Sequence, residues 1–284
     1  MDFLPSRAVT LSNLAGAAGC TLTVWGIERR AAWATRWLAL IHARLPRALA
    51  AALVTVLSCG AAALALAAPE PHTVPDTIAQ RMQACTVCHG KEGVATNQGY
   101  FPRIAGKPAG YLFNQMQNFR EGRRSNATMS ALLENMSDTY LMEIARHFAA
   151  LDLPYPPPAR SGVMSQAQTQ ALLRGQVLVS QGDATRQLPA CSECHGKAMT
   201  GVAPAIPGLL GFPKDYLLGQ LGAWRVGQRR STSPDCMREI SHRLSPQDLS
   251  AVATYLSQQP VPAASKPAAG LPLPLPMACG SVPR

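Results

Sequence analysis

The chain has 284 residues, 47% of them apolar but only 6% aromatic, with a formal net charge of +10. That length suits two ordinary domains or one large one, and the thin aromatic supply leaves room for a bulky apolar group in the core. The charge does not point to nucleic acid: residues 1–67 hold six Arg against two acids, and no basic run carries interleaved aromatics.

In the N-terminal stretch, "RWLALIHARLPR" precedes 21 uncharged, mostly apolar residues, Ala48–Ala68, which Pro69 and Glu70 close. A basic segment, an apolar stretch and small residues ("ALALAA") is the order of a secretory signal with its cleavage site. The run is also long enough for an uncleaved membrane anchor, for which ~20 residues suffice. "VLSC", ending at Cys59, resembles a weak lipoprotein box. All three readings export the rest of the chain, so a periplasmic location is expected, tethered to the inner membrane if the segment is retained. Residues 1–68 stand outside the fold.

From Thr73 onward the chain repeats itself, and such self-similarity is weighed before any fold. "QACTVCHGKEG" (Gln83 to Gly93) supplies Cys85, Cys88 and His89; "PACSECHGKAMTG" (Pro189 to Gly201) supplies Cys191, Cys194 and His195. A helical stretch leads into each motif, roughly Thr77–Cys85 with Asp76 as its cap, and Gln166–Ser180. A middle helix opens after Pro108 or Pro213, a position that tolerates proline. Tyr111, Met116 and Phe119 recur there at helical spacing, as do Tyr216, Leu217, Leu221 and Trp224. A third helix opens at Ser137 or Ser245, the latter followed by Pro and, three residues on, an acid.

The repeat aligns Pro102, Ile104 and Gly106 with Pro204, Ile206 and Gly208, which leaves a three-residue insertion before Tyr216. No strand alternation stands out, so an all-α chain is expected. Its units are residues 73–152 and 165–260, joined by a Pro-rich linker at 153–164. The tail, 261–284, has too little patterning to pack and is expected to be disordered.

Paired cysteines have several uses. A structural zinc site wants four ligands close together, and a thioredoxin-type pair wants a βαβ context that is missing here. The His directly after the second Cys selects covalent haem attachment. Two thiols three positions apart on a turn can both reach the vinyl groups of one porphyrin, and the next residue then offers imidazole to the iron. Two such motifs imply two haem c groups. A carrier iron also wants a sixth ligand, and thioether sulfur raises the potential. Met129 lies 44 residues after Cys85 and Met237 lies 46 after Cys191, each eight before its capping serine. That shared offset singles them out; Met116 and Met142 sit on helical faces and read as core filler. His72, His147 and His242 read as surface or packing residues. Cys236, which abuts Met237, is a rival thiolate ligand.

With "CTVCHG", "PRIAGKPAGYLFNQMQNFREGRR" and "TMSALLENMSDTYLMEIARHFA" and their second-half counterparts, residues 73–260 resemble the dihaem cytochrome c4 family, tandem class I cytochrome c domains. The resemblance implies that the Cys pairs hold haem c and that His89, Met129, His195 and Met237 are axial to iron. It further implies that Pro102 and Pro204 offer carbonyls to the proximal imidazoles, and that the haems face each other across an interface with propionates near its middle. Closed six-coordinate irons leave no substrate position, so the chain is expected to be an electron carrier and not an enzyme. Its expected partners are redox proteins: a quinol-oxidising complex of the cytochrome c reductase type, or a dehydrogenase, as donor, and a terminal haem–copper oxidase as acceptor. The rival reading is a dihaem enzyme, or the electron-accepting subunit of a periplasmic dehydrogenase such as one oxidising sulfur compounds. A non-redox scaffold with four thiolates on a metal ion is the third.

Overall fold

The computed structural model describes Ala52, Thr55–Leu57 and residues 74–95, 100–158, 162–270 and 274–283. The proposed signal or anchor therefore lies almost wholly outside the described residues. Among the described residues no helix is long and apolar enough to cross a membrane. Residues 74–284 form one unit.

Its first half opens with α1, Ile78–Arg81, and α2, Gln83–His89. The Thr77 side chain, not Asp76, caps α1 by accepting from the Gln80 N–H at 3.2 Å. Asp76 instead pairs with Arg81 at 2.6 Å. Helix α3, Ala109–Arg120, follows Pro108, whose missing N–H costs nothing at a helix start. Helix α4, Ala127–Leu133, is short, and Asn126 caps it by accepting from the Met129 N–H at 3.0 Å. Helix α5, Asp138–Ala150, starts at Ser137 and buries Leu141, Ile144, Ala145 and Phe148 against Leu112, Met116 and Phe119 of α3.

The second half repeats the order. Helix α6, Gln166–Ser180, begins with a Ser165–Gln168 capping box. Helices α7, Cys191–His195, α8, Lys214–Arg225, and α9, Cys236–Arg243, precede α10, Pro246–Gln258. Ser245 caps α10 in a reciprocal pair with Asp248. Leu249, Val252 and Leu256 of α10 pack on Leu178 and Val179 of α6. Strands β1, Gly201–Val202, and β2, Ile206–Pro207, form an antiparallel pair, the only strands among the described residues.

The methionine-bearing helices α4 and α9 were not distinguished in the sequence. At seven and eight residues they are too short to show a period, and side-chain caps at Asn126 and Asp235 start them.

The register of the repeat is corrected by the backbone. Gly106 and Gly211 are the left-handed pair, with φ of 72° and 76°, and Gly208 is not left-handed. The N–H groups of Ile104 and Leu209 donate to the matching carbonyls of Gly93 and Met199. Pro102 therefore corresponds to Pro207, Ile104 to Leu209 and Gly106 to Gly211, and no insertion precedes Tyr216. "PAIP" offers two prolines three apart, and the sequence pattern alone took the first.

The linker is held by the first half, and the tail departs from expectation. Arg103, 3% exposed, donates to the carbonyls of Leu153 and Pro154 and stacks 3.8 Å over the Tyr155 ring, pinning the linker. The described part of the tail is packed. Ala268 exchanges backbone hydrogen bonds with Gly201 and Ala203, and Val282 is buried with Val202 and Ile206. A disulfide between Cys236 and Cys279 supplies the tether that composition could not reveal.

Candidate functional site

The histidine of each CxxCH motif ends a short helix. His89 closes α2 and His195 closes α7, each followed by a positive-φ glycine that turns the chain away. His89 Nδ1 donates to the Pro102 carbonyl at 2.8 Å. His195 Nδ1 donates to the Pro207 carbonyl at 2.7 Å. A carbonyl only accepts, so Nδ1 carries the proton and Nε2 is left with a lone pair that could bind a metal. The expected role of Pro204 thus belongs to Pro207; the Pro204 carbonyl instead lies against Gly110 of α3.

Burial lowers the pKa of both imidazoles, outweighing the opposite pull of the carbonyl bonds, and so favours the neutral, metal-binding form. Burial pushes the Cys191 thiol up to about 12 and raises that of Cys85. A thiol held protonated in this way is a poor zinc ligand. Among the described residues no three His, Cys, Asp or Glu side chains gather as a metal-ion site.

In the second half Cys191, Cys194, His195 and Met237 line one cavity, walled by Leu217, Leu221, Trp224, Ile240, Leu244 and Val252. Met237 stands in the first turn of α9. In the first half Met129 and Cys85 pack against the same core cluster, which includes Leu112, Met116 and Phe119. The middle helix holds each methionine segment in the same way. Arg120 Nη1 donates to the Met136 carbonyl at 2.7 Å, and Arg225 Nη1 donates to that of Leu244. Both carbonyls immediately precede the serine that caps the closing helix.

Between the halves sits a polar cluster with two-fold character. Arg124 donates to Gln115 at 3.1 Å and to Gln220 at 2.8 Å. Arg229 donates to Gln220 at 2.8 Å and to Gln115 at 2.9 Å. Arg229 is 4% exposed, and burial with the neighbouring Arg124 charge lowers its pKa to about 10. No carboxylate pairs with either guanidinium among the described residues. Buried charge of one sign without a counter-charge is costly, so this cluster suits an anionic group. Trp224 Nε1, also on the cavity wall, is buried without a hydrogen-bond acceptor.

Comparison with known proteins agrees with this geometry. No family model matches the chain. A thiosulfate dehydrogenase electron acceptor from Stutzerimonas stutzeri is 36% identical over 61% of this chain and 78% of its own length. Cytochrome c4 from Pseudomonas aeruginosa is 31% identical over 65% of this chain and 89% of its own length. The chain belongs to the dihaem cytochrome c4 family. The structure of reduced cytochrome c4 from Pseudomonas stutzeri covers 62% of this cytochrome at 25% identity, with a TM-score of 0.53 over 94% of that chain.

As a member of that family, this cytochrome binds haem c and carries electrons between redox proteins; it is not an enzyme. The residues present fit the group. The cavity joins two thiols, an imidazole oriented through its far nitrogen and a thioether. The orphaned Trp224 N–H and the uncompensated Arg229 face the same space, where a haem's carboxylates would serve both.

Sequence reasoning missed four features. Pro207 was legible in the constant offset of 105 that links Pro102 to Pro207, Tyr111 to Tyr216 and Gly122 to Gly227. Arg124 stands in "GRR" and Arg229 in "GQRR", but nothing in one dimension shows that they meet. Trp224 enters the sequence pattern only through its helical spacing in the middle helix. The partner of Cys236 was hidden by the apparent emptiness of the tail, and as a disulfide Cys236 is no thiolate ligand.

Proposed function

We propose that this cytochrome holds two haem c groups, on Cys85 and Cys88 and on Cys191 and Cys194, with His89 and Met129 axial to one iron and His195 and Met237 to the other. The observation that carries the reading is the single cavity joining Cys191, Cys194, His195 and Met237. The repeat carries it to the first half, where His89 has the same carbonyl partner and Met129 the same offset. When bound, each haem supplies a reversible one-electron change at iron.

The chain's residues do the rest. The Pro102 and Pro207 carbonyls orient the imidazoles and raise their basicity. The leucines and Trp224 around Met237 keep water out. Arg124 and Arg229, with Gln115 and Gln220 between them, provide charge for propionates at the interface. The export-type N-terminus supports a periplasmic site of action, with inner-membrane attachment if that segment is kept.

The electron donor we favour is a periplasmic dehydrogenase of inorganic sulfur compounds, with a terminal haem–copper oxidase as acceptor. Its support is the S. stutzeri relative named as an electron acceptor of thiosulfate dehydrogenase. A quinol-oxidising complex is the alternative donor, favoured by the relatives named simply cytochrome c4.

A pyridine haemochrome assay with potentiometric titration of the mature protein tests the core of this reading. Two haem c per chain and two one-electron waves are expected. One haem or none would overturn it. Reduction by a thiosulfate dehydrogenase, but not by a quinol-oxidising complex, would decide the donor.

A further inference from the structure

We propose that residues 274–283 are a strap, clamped by the Cys236–Cys279 disulfide, that holds Met237 on the second iron and seals that pocket from water. The inference rests on the reading of Met237 as an axial ligand.

The strap grips the site from both sides. On the ligand side, Cys236 is the residue directly before Met237 and stands in the first turn of α9. The Gly280 N–H donates to the Pro234 carbonyl at 2.8 Å, two residues ahead of Cys236. A Cβ at position 280 would lie 2.3 Å from the Ser233 carbonyl oxygen, so only glycine lets the tail lie this close to the loop that launches α9. On the imidazole side, Val282, 8% exposed, packs with Val202 and Ile206, and Ile206 directly precedes the Pro207 that orients His195. Asn114 of α3 adds a hydrogen bond to the Ser281 carbonyl at 2.9 Å, reaching the strap from the first half. Leu275 and Met277, ahead of the disulfide, and Val282, beyond it, turn apolar surface to the cavity. An apolar wall here controls solvent access to the metal.

Among the described residues the first half has no such device. The residue before Met129 is Thr128, which is exposed and has no sulfur to offer. The strap therefore acts on one of two otherwise similar sites. It is also reversible in principle. A dithiol delivers two electrons and two protons to the sulfur–sulfur bond, releases the Cys236 and Cys279 thiols, and closes to its own cyclic disulfide.

The experiment uses the full-length dihaem protein. It is treated with a dithiol, its two released thiols are alkylated, and it is compared with untreated protein and with a C236S/C279S variant. The ferric forms are read by the methionine-to-iron charge-transfer band, and the ferrous forms by binding of carbon monoxide, which needs an open sixth position. Loss of about half the band, with carbon monoxide on one haem of the pair, is expected in both opened forms. Retention of the full band and of resistance to carbon monoxide in the alkylated protein would overturn the strap. The first-half haem in the same molecule reports on folding: if its signal is lost in the variant, the alkylated protein decides the question. A M237L variant separates the two levels. If it too keeps the full band, the assignment of Met237 fails, and the strap falls with it.

Discussion

The two halves of this cytochrome carry one proposed ligand plan in two settings. In the first, the methionine helix α4 rests on its Asn126 cap and on the Arg120 bond to the Met136 carbonyl. In the second, α9 has the matching cap and arginine bond and is also tied to the tail by a disulfide. It is further backed by a charge network that has no counterpart among the described residues of the first half. Asp248 accepts from Arg186 at 2.7 Å and from Arg174 at 2.9 Å, and Arg186 also donates to the Arg243 carbonyl at the end of α9. The corresponding start of α5 offers Asp138, exposed, to Arg120. On the proposed assignment, identical ligands need not give identical irons, because solvent access and the surroundings of the ligands also tune a haem.

The largest test of that contrast removes the thioethers one at a time. M129L and M237L should each abolish the methionine band of one haem and lower one potential, by a sizeable part of the roughly 0.8 V that axial ligands command. Spectroelectrochemistry should show a different wave moving in each variant. If the same wave moves in both, the halves do not hold separate irons.

Next in size is D248N. Burial alone would raise the Asp248 carboxyl, but hydrogen bonds from Arg186, Ser245 and Arg174 outweigh it and hold the carboxyl well below the usual range. Such a group contributes stability that is present above the unfolded carboxylate pKa, near 4, and is lost as pH falls through the lower folded value. D248N should cost about 2–3 kcal/mol near neutral pH, measured by denaturant unfolding, and should flatten the acid limb of the stability curve. An equal loss in D138N would erase the proposed difference between the halves.

The smallest effect concerns the caps. S137A should cost about 1 kcal/mol, the usual worth of a helix cap. S245A should cost somewhat more, because the Ser245 hydroxyl accepts from the Asp248 N–H at 3.1 Å and also donates to the Asp248 carboxylate at 2.8 Å. Paired thermal melts of the two variants would measure the gap.

Much of this molecule was readable in one dimension, for local reasons. Pro108, Pro213, Ser137 and Ser245 act on their own helix starts, so sequence neighbours suffice to find them. The CxxCH units are likewise local, as is the offset that picks out Met129 and Met237. What escaped was non-local. Arg124 meets Gln220 across 96 positions, and Arg229 meets Gln115 across 114. Val282 finds its place only because β1 and β2 present Val202 and Ile206. Pro207 escaped for a different reason, since a degenerate pattern offered two candidates and only the left-handed Gly211 chooses between them.

At the junction, Arg124 and Arg229 form an antiparallel bridge, and Gln115 and Gln220 each serve both arginines. Residues that stand at equivalent places thus face one another, as across the axis of a symmetric homodimer. The tandem chain is in effect a dimer fused into one polypeptide, and fusion permits what strict symmetry forbids. Each copy can vary alone, as the sulfur clip on one side shows, whereas a change at Gln115 or Gln220 is felt by both copies at once.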